Sequence, residues 1–305
     1  MHRRSADAVR ARPATAARGG GQTPVRALLS LRRISSWLRG IVPACVLMLA
    51  GAAHAGFDHS HAQWDALLRQ HVQWLPGGHA TQVDYRGLKA DRAALNTYLA
   101  ALSAVGANEY RGWTRPQQLA FLINAYNAFT VELILTAYPD LKSIRDLGSF
   151  LRSPWKKRFF TLLGERRHLD DVEHGMIRAP GAFDEPRIHM AVNCASIGCP
   201  ALRDEAFVAA RLEAQLEDGV LRFLSDRSRN RATEQALEVS RIFDWYGEDF
   251  ASRAGSVARW LAGYAEQLAD TPALRRRVAG ADLPMRFLDY DWALNDWSRQ
   301  PPSKG

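Results

Sequence analysis

One stretch constrains the fold more than any other: Thr114 to Tyr138, TRPQQLAFLINAYNAFTVELILTAY. Thr114 suits an N-cap, Pro116 the first turn, and Pro139 the stop. Between them the residues are apolar nearly all round, not along one stripe. The spacing therefore predicts a central buried helix, with the rest of the chain layered about it. The polar residues inside it stand out. A buried amide left without partners costs about 1–3 kcal/mol, and asparagine favours helices poorly. Asn124 and Asn127, three apart, fall on neighbouring positions of one face and should each bond something specific. A structural role has each amide tie down a passing loop. A functional role makes Asn124, Tyr126 and Asn127 candidates for substrate binding.

Periodicity predicts the surrounding elements. Helices are expected at Ser60–Trp74 (Trp64, Leu67, Leu68, His71 and Val72 at helical spacing), Asp91–Ser103, Asp171–Arg178, Glu205–Leu224, Ser256–Leu268 and Pro272–Val278. Short strands are expected at Val83 and Tyr85, Leu237–Phe243 and Met285–Tyr290. A hairpin over Arg158–Leu163 and Arg166–Leu169 would turn at Gly164-Glu165. Residues 187–193, RIHMAVN, alternate as a strand, with His189, Ala191 and Asn193 on one face. Helices outnumber scattered strands. That implies a helix-rich α+β single domain with a small sheet, not a doubly wound one.

Charge bears on partners. The whole chain carries +8, which would suit nucleic acid or an anionic surface. Residues 1–55, however, hold nine arginines against the single acid Asp7. Removing these from totals of 40 basic and 32 acidic residues leaves 31 of each in 56–305. The nucleic-acid reading loses its basis. The leader has the pattern of a cleaved signal peptide: Arg32, Arg33 and Arg39, an apolar run from Ile41 to Ala53, then the small-x-small site Ala53-His54-Ala55. The run is shorter than the ~20 residues a membrane span needs. The expected organisation is a signal peptide over 1–55 and one domain over 56–305. That domain would be periplasmic or secreted, without a membrane span.

Two stretches outside the central helix carry chemistry-capable residues. HLDDVEHGMIR (168–178) offers His168, Asp170, Asp171, Glu173 and His174. Asp170 with Glu173 fits a capping box, which leaves His174 as a base or a satisfied core group. The spacing matches no familiar zinc motif, so no metal and no cofactor is expected. HMAVNCASIGCP (189–200) holds Cys194 and Cys199, the only cysteines after the leader. Three readings compete there: a disulfide suited to an oxidising compartment, a nucleophile whose thiolate a nearby imidazole or donors stabilise, and a weak metal clip.

FLINAYNAFT, LDDVEHGMIR, RIHMAVNCASIGCPAL, FDWYGEDF and FLDYDWALN, in that order, resemble the family called domain of unknown function 547. The resemblance runs from about Phe57 to Asn295. Members occur among bacterial exported proteins and plant and animal multidomain proteins, and no biochemistry comes with the name. The resemblance implies a shared centre of Asn124, Tyr126, Asn127, Asp170, Glu173, His174, His189, Asn193, Cys194, Cys199, Pro200, Asp244, Tyr246, Asp249, Tyr290 and Asp291. Such a set exceeds what a core needs. The leading expectation is a cysteine-dependent hydrolase or transferase acting on peptide, amide or thiol small molecules. Cys194 would attack, His174 or His189 would be the base, Glu173 or Asp170 would orient it, and Asn193 would hold the oxyanion. Asn124, Tyr126, Asn127, Tyr246 and Asp291 would bind substrate. The order His before Cys resembles circularly permuted papain-like enzymes. The alternative is a non-catalytic ligand-binding module with a Cys194–Cys199 disulfide and a groove of Trp245, Tyr246, Tyr290 and Trp292.

Overall fold

The central helix forms over Arg115–Leu135, 21 residues long. Thr114 and Gln117 close a reciprocal capping box at its start: the Gln117 Oε1 accepts the Thr114 N–H at 2.9 Å, and Thr114 Oγ1 accepts the Gln117 N–H at 3.4 Å. By length and composition this helix would cross a bilayer, but 89% of its apolar window is buried within the protein. It is the core helix its all-round apolarity requires.

The computed structural model describes residues 56–149 and 152–297; the leader expected over 1–55 lies outside them. The first half runs through α1 (Ala62–His71), β1 (Val72–Trp74), β2 (Thr81–Val83), α2 (Tyr85–Ala90), α3 (Arg92–Ala104), α4 (Ala107–Arg111) and the central α5 (Arg115–Leu135). The hairpin β3 (Phe160–Leu162) and β4 (Glu165–Arg167) leads into α6 (Leu169–Val172), which widens into a π-turn over Glu173–Ile177. Then come α7 (Leu212–Ser225), β5 (Arg231–Ala232), β6 (Leu237–Ser240), α8 (Ile242–Trp245), α9 (Gly247–Ala254), α10 (Val257–Ala262), α11 (Ala265–Leu268), α12 (Pro272–Ala279) and β7 (Met285–Leu288). The strands form two antiparallel hairpins, β1–β2 and β3–β4, and a mixed sheet β5-β6-β7 in which β6 and β7 are parallel. This is a helix-rich α+β fold with small sheets.

Two apolar clusters hold it together. The larger gathers α5 with α1, α3 and the β3–β4 hairpin through Trp64, Leu95, Phe121, Leu122 and Leu162. The smaller packs α7 to α12 on β6 through Val220, Phe223, Phe243 and Phe250. Each such side chain contributes roughly 1.5–3 kcal/mol by leaving water.

Several elements differ from their sequence expectations, each for a local reason. Residues 187–193 form no strand; Pro186–Met190 is a 3₁₀ turn. Pro186 starts it, the Glu185 carboxylate accepts the Arg187 N–H at 3.1 Å, and Ile188, His189 and Met190 are all buried, so neither face is solvent-facing. The helix expected from Glu205 begins at Leu212, because Glu205 is engaged by Arg203, Arg211 and Gln215. The helix expected to reach Trp74 stops at His71, and Val72 starts a strand paired with Val83. Tyr85 opens α2 and does not extend β2. The hairpin turns at Leu163-Gly164, since Leu162 pairs with Glu165. Both central residues have positive φ (54° and 82°), which matches the twist of the flanking strands.

The cysteine loop is pinned from outside by the segment after β7. Gly198 N–H donates to the Asp291 carbonyl at 2.9 Å and Ile197 N–H to Ala293 at 2.8 Å. Ser196 bridges antiparallel to Leu294. Ala195, inside the loop, takes φ 61°, a left-handed conformation that costs a non-glycine residue energy and persists only when its surroundings dictate it.

Candidate functional site

A cleft of about 190 Å³ opens where the two clusters meet, with Tyr126 and Val192 from the larger and Ile242, Tyr246 and Tyr290 from the smaller. The helical turns after β4 bring Asp170, Glu173 and His174; the 3₁₀ turn brings His189; the loop brings Cys194 and Cys199. Trp155, Trp245 and Trp292 complete the walls.

Local capping explains why the carboxylates face the cleft. The capping box at α6 is His168 with Asp171, not Asp170 with Glu173: His168 Nδ1 accepts the Asp171 N–H at 2.9 Å, and Asp171 Oδ2 accepts the His168 N–H at 3.0 Å. Asp170 and Glu173 are thereby released from backbone duty. The helix then widens, with the Arg178 N–H reaching back five residues to the Glu173 carbonyl at 2.9 Å.

One histidine lining the cleft has its tautomer fixed by a carboxylate. His189 Nε2 meets Asp249 Oδ2 at 2.7 Å, and Arg178 binds the same carboxylate through Nε at 2.5 Å and Nη2 at 3.0 Å. Burial alone would raise the Asp249 pKa, but the hydrogen bonds from His189 and Arg178 outweigh it and hold the group well below the usual carboxylate range. Burial pushes the His189 imidazole down, against the pull of Asp249. The neutral ring thus donates from Nε2 to an ionised Asp249 and leaves a lone pair at Nδ1. Among the described residues Nδ1 is buried and has no hydrogen-bond partner. Tyr246 stacks on the ring at 3.9 Å between centroids.

Glu173 is 4% exposed, and its Oε1 also lacks a partner among the described residues. The hydroxyls of Tyr126 and Tyr246 lie beside its carboxylate; burial first, and that neighbour second, push both phenols above their ordinary pKa. Burial raises Asp170 as well. His174 is exposed, and its Nδ1 accepts from Arg178 at 2.5 Å.

The cysteines lie within disulfide distance of one another, with their Cα atoms 6.4 Å apart, inside the range that a disulfide spans. The Cys194 N–H donates to Cys199 Sγ at 3.0 Å. Around the sulfurs stand hydroxyls: Ser196 Oγ and Tyr290 Oη are each 3.3 Å from Cys194 Sγ, and Tyr290 donates to Cys199 Sγ at 3.1 Å. No imidazole hydrogen-bonds either sulfur among the described residues. Burial lifts the Tyr290 phenol to about 12.

The other sequence candidates have structural partners. Asn124 clamps Phe207 in both directions, donating to its carbonyl at 2.7 Å and accepting its N–H at 3.0 Å. Asn127 donates to the Ala191 carbonyl at 2.9 Å and accepts the Asn193 N–H at 2.8 Å. Asn193 in turn donates to Pro200 and accepts from Ala195, both at 2.8 Å. Asp291 caps the Ala293 N–H at 2.8 Å and does not line the cleft. Trp155 and Arg178 were not legible as site residues. Arg178 stands four residues after His174 in a stretch already rich in chemistry, and that i,i+4 spacing was the available signal. Among the described residues no group of three or more His, Cys, Asp or Glu side chains could hold a metal ion.

The family model described as Protein of unknown function, DUF547 matches residues 110–224, a shorter stretch than the motif order suggested, and over that stretch the chain is similar to that family. The match takes in α5, the Glu173 turn, His189 and both cysteines, but stops before Asp249 and Tyr290. No curated protein and no solved structure matches the chain, so the permuted papain-like arrangement draws no support from them.

Proposed function

We propose that the protein is an exported small-molecule-binding protein whose ligand occupies the aromatic and carboxylate cleft, with Cys194 and Cys199 joined as a structural staple. Export rests on the leader's arginine, apolar and small-x-small succession. One observation carries the binding reading: two buried acceptors, Glu173 Oε1 and His189 Nδ1, line one cleft without a partner among the described residues. Buried polar atoms are nearly always satisfied, so an exception at a concave surface points to a ligand. The cysteines favour a staple because hydroxyls and the second sulfur surround Cys194, whereas an activated thiolate is expected beside an imidazole or another cation.

A second reading, the cysteine-dependent hydrolase or transferase, draws on Cys194 lining the same cleft as His174, His189 and Glu173. The two separate on the Cys194→Ser, Cys199→Ser double variant. Ligand affinity that survives this change supports the binding protein. Turnover of an amide or thioester by the native protein, abolished by Cys194→Ala alone, supports the enzyme.

A further inference from the structure

With the cleft taken as the ligand site proposed above, we infer that it receives a primary alkylammonium group, as at the end of an amine-bearing chain. Three features converge. First, the free polar atoms are acceptors. The Glu173 carboxylate offers Oε1, and His189 offers the Nδ1 lone pair because Asp249 has fixed the proton on Nε2. Two unpartnered acceptors on residues that line one cleft call for a donor with more than one hydrogen, which –NH₃⁺ supplies.

Second, the walls are aromatic: Tyr126, Trp155, Trp245, Tyr246, Tyr290 and Trp292. Trp245 and Trp292 stack at 5.6 Å, and Tyr290 meets them at 4.9 and 4.6 Å. Ring faces attract cations, and these rings already do so: the Arg178 guanidinium lies 4.8 Å from the Tyr246 centroid and Arg145 lies 5.3 Å from that of Trp292. Third, the charge is complementary. Asp170 and Glu173 line the cleft, while among the described residues no lysine or arginine does. Of the nearby cations, Arg178 is paired with Asp249 and Arg229 with Asp226, while Lys156 beside Asp170 and Arg145 over Trp292 stand outside the lining. A volume of about 190 Å³ admits a short chain and excludes most drug-sized ligands, which need roughly 300–1,000 Å³.

The test titrates the protein, ¹⁵N-labelled at tryptophan, with butylammonium, butanol and butyrate at one pH and ionic strength. Butylammonium should shift the indole signals of Trp245 and Trp292, with a Kd about tenfold or more below that of butanol, and butyrate should leave them unmoved. Glu173→Gln should erase the preference over butanol; should that variant fail to fold, Asp170→Asn, at a half-exposed position, should weaken it. Trp245→Leu should weaken butylammonium several-fold. Saturation by butanol or butyrate at equal or lower concentration would overturn the ammonium assignment and leave a ligand site of another class. Silence of the indole signals towards all three probes would overturn both this assignment and the ligand-binding reading.

Discussion

Asp249 holds the buried imidazole of His189 at 2.7 Å, and through that contact a residue 60 positions away decides which ring nitrogen carries the proton. The Arg178 guanidinium on the same carboxylate keeps Asp249 ionised, so the proton stays on His189 Nε2. The Arg178–Asp249–His189 chain orients one acceptor of the site and joins the Glu173 turn to α9.

Acid should destabilise the fold in two stages. His189 titrates below its ordinary value in the folded protein, so the unfolded chain takes up the proton first. Its contribution is complete above about pH 6.5 and is lost as pH falls below that. Asp249, also depressed, contributes fully above about pH 4 and is lost on further acidification. Melting temperatures should fall from pH 7 to pH 3. Asp249→Asn, which removes an acceptor from both Arg178 and His189, should cost about 2–3 kcal/mol at neutral pH and flatten the lower stage. A melting curve for Asp249→Asn matching wild type at pH 7 would refute this.

The asparagine clamps should matter for stability. Asn124→Ala removes the side-chain amide that bonds both the Phe207 carbonyl and its N–H, and should cost about 2–3 kcal/mol in urea unfolding, with m unchanged. Asn127→Ala should cost a similar amount and should also perturb the cleft, because Asn127 carries the chain into Asn193 and Cys194. Indole shifts at Trp245 and Trp292 read the difference.

Removing the staple should be tolerated. The cysteines are five residues apart, so the loop they close is short and the entropic gain is about 2 kcal/mol. The Cys194→Ser, Cys199→Ser protein should melt about 4–8 °C lower and still fold.

Gly198→Ala should strain the loop. A Cβ there would lie 2.9 Å from Tyr290 Cζ and 3.0 Å from the Asp291 carbonyl. The expected loss is about 1–3 kcal/mol in thermal or urea unfolding, with a shifted Tyr290 environment; an unchanged midpoint would mean the loop yields freely.

Much of this architecture can be read from local pattern. The Thr114 cap, the all-round apolarity of α5 and the Pro139 stop locate the core, and two asparagines inside it announce the clamps they make. The capping residue of α6 was harder. Asp170-x-x-Glu173 and His168-x-x-Asp171 both suit a helix start, and only the second forms. Alternation in RIHMAVN misleads because Pro186 and Glu185 start a 3₁₀ turn there.

Non-local relationships were out of reach of spacing. The motif resemblance grouped His189, Asp249, Tyr290 and the cysteines in one centre, but neither the Arg178 and His189 contacts to Asp249 nor those of Tyr290 to the sulfurs 91 and 96 positions before it could be read from it. The chain folds these together through two apolar clusters and the segment after β7, and spacing along the sequence does not encode that.

The most direct test is thiol labelling of the protein recovered from an oxidising compartment, followed by mass spectrometry. Iodoacetamide should modify neither Cys194 nor Cys199 until a reductant is added, and then both. Rapid, selective modification of Cys194 in the unreduced protein would contradict the staple and return the cleft to a cysteine nucleophile.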